Sequence, residues 1–319
     1  MADEPHRIDV HHHFIPADYR EALAREGVEQ GGGAPIPAWD VSLAREVMDR
    51  NGIASAVASI PEFHVGKQPF STRWARQCNE FLAKTISDDA SRFGGFACVP
   101  LPDVAAACAE LEYALDTLRL DGALLMSSSG DRYPGDPAFE ELFQELARRD
   151  AIVFIHPVMN PPGSDVPKLD LPNFLAEFVF DTTRCIANLL YSGTFERHPS
   201  IRYIVAHAGG TVPYLAWRLS LGGLLPGLGD AVPKGPLHYL QRLYFDTALS
   251  ASPYALAGLM QLVPPTQILF GSDFPMAPEL ITEASISGLA ECPVMDRAAL
   301  DSVERGSAIS LFPRLRPAV

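Results

Sequence analysis

The chain alternates between short apolar runs and longer amphipathic segments from one end to the other. Eight runs have the length and the β-branched or aromatic content of buried strands. They cover residues 7–11, 54–60, 96–101, 121–127, 151–157, 201–210, 242–248 and 266–275. Between them, apolar residues recur at i, i+3 and i+4 with charged residues on the other side, which is the helical pattern. This order predicts parallel strands joined by right-handed helical crossovers.

Several of the helical segments begin with a residue suited to capping a helix. Asp40, Asp103 and Asp136 each precede an amphipathic segment, and Pro137 follows the last of them. Eight strand–helix units in 319 residues predict one (β/α)8 barrel of the TIM type that spans residues 1–319. The alternative is an open doubly wound sheet, but no Gly-x-Gly-x-x-Gly follows the first strand.

Two long connections are predicted at the mouth of this barrel. One covers residues 14–40 after the first strand, and the other begins with the sequence VMNPPGSDVP after the fifth strand. Both follow the carboxyl ends of strands, where the active sites of such barrels are built. The three glycines at positions 31–33 would allow residues 14–40 to move as a lid.

Composition and charge indicate which binding partners are excluded and in which cell compartment the protein is expected. The net charge of −14 would repel a phosphate backbone, so we expect no nucleic-acid partner. No apolar run reaches the roughly 20 residues of a membrane span, and the first residues have no signal-peptide core. The five cysteines are odd in number and lack Cys-x-x-Cys spacing, which argues against disulfides and thiolate zinc sites. We therefore expect a cytoplasmic protein.

The first strand ends in three consecutive histidines, which are the strongest chemical signal in the chain. Side chains alternate between the two faces of a strand, so His11 and His13 face the same way and His12 faces the opposite way. Two imidazoles on one face at a strand end can chelate a metal ion. Taken alone, the triplet also fits a polar strand end whose histidines are solvated.

Three further polar residues close other predicted strands. His156 precedes Pro157 at the end of the fifth strand, His207 ends the sixth strand, and Asp273 ends the eighth. In a barrel these ends converge at one mouth. Three histidines and a carboxylate suit zinc, and also manganese, cobalt or iron. The competing interpretation is a set of unrelated polar caps.

Other residues near the predicted mouth have weaker signals. His64 follows the second strand and Trp39 lies in the first long connection, so both are candidates to line a substrate pocket. Asp246 ends the seventh strand. Its carboxylate could orient a metal ligand or could cap the turn that follows, and the sequence leaves both roles open.

The strings DVHHHF, IHP, AHAGG and GSDFP, in this order and spacing, resemble the amidohydrolase superfamily. The strings PAWDVSLAREVMDRNGI, RYPGDPAFEELF and FVFDTTRCIANLLYSGTFERHPSIRYIVAHAGGTVPYL are similar to its aminocarboxymuconate-semialdehyde decarboxylase branch, and within it to the 6-methylsalicylate decarboxylase type. The resemblance covers residues 8–313 and implies the same barrel fold.

The resemblance also implies a role for individual residues. His11, His13, His156 and Asp273 match the metal ligands of the superfamily. The superfamily's bridging lysine is missing, because the fourth strand ends in Met-Ser instead. We therefore expect one divalent metal ion, zinc, with manganese as the alternative.

Two more roles concern the substrate. His207 matches a histidine that acts as acid or base in this branch. Arg218 matches an arginine that holds the substrate carboxylate and reaches into the neighbouring subunit, which implies a homodimer. Asp273 is also the candidate that delivers a proton to the substrate.

The function that follows is metal-dependent, non-oxidative decarboxylation of a small aromatic acid resembling 2-hydroxybenzoate or 6-methylsalicylate. Protonation of the ring carbon would precede cleavage of the C–C bond. The alternative is a metal-dependent hydrolase or hydratase that acts on a lactone or an amide on the same barrel. A non-catalytic barrel would have broken metal positions, and all of these positions are intact.

Overall fold

The computed structural model describes residues 6–61, 72–158 and 169–316. Eight parallel strands form one sheet in which each strand pairs with the next along the chain. Because helices cover the outer face, nearly every strand residue is buried. The strands are β1 (Arg7–His13), β2 (Ile53–Ser59), β3 (Phe93–Ala97), β4 (Gly122–Met126), β5 (Ile152–His156), β6 (Arg202–Val205), β7 (Tyr244–Asp246) and β8 (Ile268–Leu269).

The sheet closes between β1 and the segment that follows β8. The backbone N–H of Val10 donates to the carbonyl of Phe270 at 2.9 Å, and the N–H of Asp273 donates to the carbonyl of His11 at 2.8 Å. These bonds complete a (β/α)8 barrel, as the alternation of strands and helices predicted. The carboxyl ends of β1, β5, β6 and β8 therefore meet at one mouth.

Thirteen α-helices lie in the described residues. They are α1 (Ala17–Arg25), α2 (Val41–Arg50), α3 (Thr72–Asp88), α4 (Val104–Glu112), α5 (Glu140–Arg148), α6 (Glu177–Tyr191), α7 (Thr194–Arg197), α8 (Val212–Ser220), α9 (Pro236–Leu240), α10 (Pro253–Leu262), α11 (Glu279–Ala290), α12 (Arg297–Asp301) and α13 (Ser307–Leu311). Within the described segments, no helix combines the length and the apolar character that crossing a bilayer requires.

The predicted capping residues take the expected positions. The carboxylate of Asp40 accepts from the N–H of Leu43 at 2.9 Å at the start of α2. Asp103 caps α4 through the N–H of Ala106 at 3.0 Å. Asp136 caps the short 3₁₀ turn that leads into α5. Each bond satisfies one of the N–H groups that a helix leaves free at its first turn.

Three predicted strands have clearly different bounds in the structure. The sixth was predicted at 201–210 but ends at Val205, so His207 lies in a 3₁₀ turn beyond the strand. The third was predicted at 96–101 but forms at Phe93–Ala97, because Pro100 and Pro102 have no N–H to donate to a neighbouring strand. The eighth was predicted at 266–275 but is regular only over Ile268–Leu269. Beyond it the backbone turns, and Asp273 adopts a positive φ of 61°.

Residues 14–40 are more ordered than the predicted long connection. They contain α1 and a hairpin of two short strands, Gln30–Gly31 and Ala34–Pro35. The tip of the hairpin contacts the segment before α6, where the N–H of Phe174 donates to the carbonyl of Gly32 at 3.4 Å. The hairpin therefore forms a wall over the barrel mouth, and its movement as a lid stays a prediction.

Candidate metal centre

Four side chains from two strands and the segment after β8 converge at the barrel mouth. The Nε2 atoms of His11 and His13 lie 3.2 Å apart, and the Oδ1 atom of Asp273 lies 3.0 Å from His13 Nε2. Together with His156, one nitrogen or oxygen atom from each residue falls within 4.8 Å of the others. All four residues are buried. The lone pairs of nitrogen and oxygen atoms this close repel each other unless a cation or a proton lies between them.

Hydrogen bonds at the far side of each imidazole fix its orientation. The Nδ1 of His11 bonds the Oδ2 of Asp246 at 2.8 Å. The Nδ1 of His13 bonds the carbonyl of Ser59 at 3.3 Å, and the Nδ1 of His156 bonds the carbonyl of Pro157 at 2.9 Å. Since these partners are acceptors, Nδ1 carries a proton in each ring and Nε2 faces the centre. This is the usual arrangement around metal-binding histidines.

The protonation of the cluster follows from burial and from its own charges. Burial lowers the pKa of His13 and holds the pKa of His156 well below its usual value, so both rings are neutral. Burial also opposes the charge on His11, but Asp246 and Asp273 outweigh it and raise the pKa of His11 to about 10. Burial raises the pKa of Asp273, yet His11 and hydrogen bonds outweigh it and hold that pKa well below its usual range.

These residues fit a divalent metal ion. Two neutral imidazoles, a third imidazole and a carboxylate present their donor atoms to one point, and this set suits zinc or manganese. A cation at that point would replace the proton that His11 shares with Asp273. β4 ends at Met126, which pairs in register with His156, so the end of this strand carries a methionine where a bridging lysine would stand.

Asp246 performs both of the roles that the sequence left open. Its Oδ2 holds the His11 ring, while its Oδ1 accepts the backbone N–H groups of His207 at 2.9 Å and Ala248 at 3.0 Å. One buried carboxylate therefore orients a candidate ligand and also fixes the backbone of His207. Loss of this carboxylate would disturb both groups together.

His207 lies beside the cluster without joining it. Its Nε2 is 3.8 Å from the Oδ2 of Asp273, and both ring nitrogens are buried without a hydrogen-bond partner within the described chain. Buried polar atoms almost always have hydrogen-bond partners, so we expect a substrate or an ordered water to bond these nitrogens. His207 and Asp273 also have positive φ angles of 56° and 61°. Such strain in non-glycine residues is concentrated at functional sites.

On the opposite face of β1, Asp9 connects the two segments that carry the candidate ligands. Its Oδ1 accepts from the N–H of His11 at 3.1 Å and of Ser272 at 3.0 Å. Its Oδ2 accepts from the Ser272 hydroxyl at 2.5 Å and from His12 Nδ1 at 3.2 Å. The Ser272 oxygen in turn accepts from the N–H of Phe274 at 3.0 Å. His12 thus faces away from the cluster, as strand alternation predicted.

We expect Asp9→Asn to weaken zinc affinity about 10- to 100-fold, the usual cost of removing a group that orients metal ligands. An amide accepts at one atom only, so β1 and the segment around Ser272 would lose part of their connection. Competition with a chromophoric chelator measures the affinity. The matched control is Glu110→Gln, a buried carboxylate that bonds Arg76 and Asn79 and no residue of the cluster. Native zinc affinity in Asp9→Asn would contradict this positioning role.

Above the cluster lies a cavity of about 330 Å³, at the lower end of the roughly 300–1,000 Å³ range of ligand pockets. The only polar side chains in its described lining are His156, His207 and Asp273. The other lining residues are Gly31, Gly32, Ala34, Pro61, Met126, Pro157, Phe174, Phe178, Leu249, Met276, Ala277, Pro278 and Ile281. A ligand would therefore meet polar groups at the floor and apolar walls elsewhere.

The remaining predicted site residues are more distant or lie outside the described residues. His64 falls within residues 62–71, which the structure does not describe. Trp39 is buried against Phe14 and Phe81, with ring centres 6.2 and 6.1 Å away, and is not among the described lining residues. Arg218 is exposed on α8 and does not reach the cavity of its own chain. Substrate contacts by these three residues stay predictions.

Sequence reasoning missed Asp9, Ser272 and much of the apolar lining. The spacing could have identified Asp9 as a neighbour of the cluster. Asp9 precedes His11 by two residues, and strand alternation places both residues on a common face. A register irregularity in β1 between Asp9 and His12 reverses that expectation, and the Asp9 carboxylate lies beside His12 and Ser272 instead. The lining residue Phe178 belongs to α6, whose register over the mouth no local pattern specifies.

Comparison with known proteins agrees with the fold. The amidohydrolase family matches residues 8–314. The 6-methylsalicylic acid decarboxylase of Penicillium expansum is 35% identical, covering 97% of each chain. A solved amidohydrolase II structure is 28% identical with a TM-score of 0.89, covering 96% of this chain and 99% of its own. A dihydroxybenzoic acid decarboxylase from Polaromonas sp. JS666, solved with manganese and 2-nitroresorcinol, is 22% identical with a TM-score of 0.79 and covers 98% of both chains. The chain belongs to the amidohydrolase family.

Proposed function

We propose that this protein is a metal-dependent, non-oxidative decarboxylase of an aromatic acid that resembles 2-hydroxybenzoate or 6-methylsalicylate. The observation that carries this proposal is a buried His–His–His–Asp cluster at the floor of an otherwise apolar cavity. Such a site suits a flat ring with its charged groups on one edge. The relative from P. expansum at 35% identity supports the same reaction.

We assign His11, His13, His156 and Asp273 as the metal ligands. A bound divalent ion would supply positive charge that holds the substrate carboxylate and ortho-hydroxyl and stabilises the phenolate. We propose zinc because its preference for histidine nitrogen matches this donor set. Manganese is the alternative, and the solved Polaromonas decarboxylase with manganese supports it.

Direct loss of carbon dioxide would leave an aryl anion, so the ring carbon that bears the carboxylate must be protonated first. His207, 3.8 Å from the Oδ2 of Asp273, transfers a proton from solvent to this carboxylate, and Asp273 passes the proton on to the ring carbon. The C–C bond then breaks, its electron pair returns to the ring and carbon dioxide leaves. The apolar walls keep water away from the protonated ring. The ring itself is the electron sink, so no organic cofactor is required.

Hydrolysis or hydration on the same metal is the alternative function, since a metal also lowers the pKa of a bound water. A product assay distinguishes the two. The zinc-loaded protein is incubated with ortho-hydroxybenzoic acids and, separately, with lactones and amides, while carbon dioxide and organic products are quantified. Equimolar carbon dioxide and phenol from a hydroxybenzoate support the proposal. Turnover confined to lactones or amides would replace it with the alternative.

We also propose that the chain forms a homodimer through α8 and its neighbour α10. Large side chains are exposed there: Tyr214 is 87% exposed, Trp217 73% and Tyr254 97%. Contiguous apolar patches on soluble proteins mark interaction sites, and twofold dimers are the commonest assembly. Arg218 follows Trp217 directly and is itself exposed. We therefore propose that Arg218 contacts the substrate in a partner's cavity rather than in its own.

We expect Trp217→Glu to dissociate the dimer, because a carboxylate would be buried in the apolar interface. Arg218→Ala should remain dimeric and lose activity, mainly through a higher KM for the acid. Sedimentation equilibrium and kinetics measure the two effects. The control Gln77→Glu adds the same charge to an exposed position of α3, on the opposite side of the barrel, and should change neither. A monomeric wild-type protein that is fully active would refute both parts of the proposal.

We further propose that the protein works in a reducing compartment, the cytoplasm. Cys78, Cys108, Cys185 and Cys292 are thiols without a disulfide in the described chain. Disulfides form in oxidising compartments and are rare in the cytosol, which supports this placement.

A further inference from the structure

The barrel mouth has two chemically different halves. The candidate ligands and His207 come from β1, β5 and the segments after β6 and β8, whereas the half of the mouth at β2, β3 and β4 is lined mainly by apolar side chains, among them Ile60, Val99 and Met126. A second, smaller cavity opens on this apolar half, and we name it the side pocket. Its described lining consists of Ile60, Cys98, Val99, Leu101, Leu124, Met126 and Ser129.

The side pocket adjoins the substrate cavity. Met126 lines both spaces, and Ile60 of the side pocket is followed directly by Pro61 of the substrate cavity. Met126 pairs in register with His156 on the neighbouring strand, so the two side chains lie on the same face of the barrel. Adjacent strands are about 4.8 Å apart. The side pocket therefore begins about one strand spacing from a candidate metal ligand.

The size and lining of the side pocket favour a small hydrocarbon group. Its volume is about 30 Å³, whereas roughly 10–15 Å³ on the same measure is enough for one water molecule. Ser129 is the only hydroxyl residue in the described lining, and a water needs two to four polar partners to be held well. Space of this kind is better filled by one or two carbon atoms than by water.

We propose that the side pocket is a specificity subsite that binds an alkyl substituent of the aromatic acid, an inference that rests on the proposed function. An acid held by its carboxylate at the metal centre carries a substituent on the adjacent ring carbon close to the ligands. The side pocket is the described apolar recess beside them. It selects acids with a short alkyl group at that carbon over acids with hydrogen or hydroxyl there.

Val99→Phe tests the subsite by filling it. Val99 is half-buried, so a larger side chain can be accommodated without repacking the barrel core. The measured quantity is the ratio of kcat/KM for 2-hydroxy-6-methylbenzoate to kcat/KM for 2-hydroxybenzoate. One methyl group in an apolar pocket changes this ratio by about 10- to 200-fold. We expect the ratio to fall at least about tenfold in Val99→Phe, with turnover of the unsubstituted acid retained.

Leu124→Ala tests the opposite change by enlarging the side pocket. We expect preference to shift from the 6-methyl acid toward the 6-ethyl and 6-propyl acids. The matched control is Leu142→Ala, which truncates an equally buried leucine of α5 that lines neither cavity. This control lowers the melting temperature without changing the chain-length preference. An equal shift in Leu142→Ala would show that loosening of the barrel, and not the subsite, sets selectivity.

Unchanged ratios in folded, zinc-loaded Val99→Phe and Leu124→Ala would overturn the subsite. Failure of the proposed function gives a different result, namely no carbon dioxide from any acid with the wild-type protein. In that case calorimetric binding of 2-hydroxy-6-methylbenzoate and 2-hydroxybenzoate still tests the subsite. A methyl preference that Val99→Phe abolishes supports it, and equal affinities for the two acids in the wild-type protein overturn it.

Discussion

Asp273→Asn should lower kcat by about 10²- to 10⁴-fold, the contribution of a positioned general acid. The amide is nearly isosteric and keeps one oxygen that can face the metal. It has no carboxylic proton to give to the ring carbon. We expect zinc to bind more weakly but to reach full occupancy at high concentration, with turnover still absent. Zinc content and single-turnover carbon dioxide release measure the two effects separately.

A matched control for this substitution lies at the other end of the barrel. The carboxylate of Asp121 accepts from the N–H of Gly95 at 2.8 Å and pairs with Arg314. Asp121→Asn should therefore reduce the thermal stability and leave zinc affinity and kcat unchanged. Turnover near the wild-type rate in fully zinc-loaded Asp273→Asn would remove Asp273 from the proton transfer.

His207→Asn should abolish turnover to a similar extent while zinc binding stays intact. The ring of His207 is not among the four converging donors, yet its two unpartnered nitrogens lie at the cavity floor beside Asp273. Asparagine cannot accept and return a proton near neutral pH, so the expected loss in kcat is again about 10²- to 10⁴-fold. Steady-state kinetics at saturating zinc and substrate give the result.

His198→Asn is the corresponding histidine control. His198 is also buried and bonds Glu140 through Nε2 at 2.9 Å, but it lies far from the mouth. Its replacement should cost stability only. If His207→Asn instead lost its zinc, His207 would have to be counted as a ligand and the assignment of acid–base chemistry revised.

The barrel and the cluster could be predicted because each depends on a local pattern. The period-two alternation of a strand separates His11 and His13 from His12. Parallel strands that close into a barrel then carry His156, His207 and the Asp273 segment to the same end. Neither step requires knowledge of side-chain packing, so sequence alone was sufficient for them.

Contacts set by packing between distant segments were not predictable in the same way. The bond between Asp9 and Ser272 joins residues 263 positions apart and depends on the turn after β8. The buried position of Trp39 results from its packing against Phe14 and Phe81. The hairpin within residues 14–40 contacts the segment before α6, and no local pattern encodes this contact.

The central claim is that the four-residue cluster holds one metal ion on which decarboxylation depends. The most direct measurement is a titration of the metal-free protein with zinc, while carbon dioxide release from 2-hydroxy-6-methylbenzoate is recorded. We predict that activity rises linearly and reaches its plateau at one equivalent, and that His156→Ala removes both binding and activity. Full activity in the metal-free protein, or one bound equivalent that His156→Ala leaves in place, would contradict the claim.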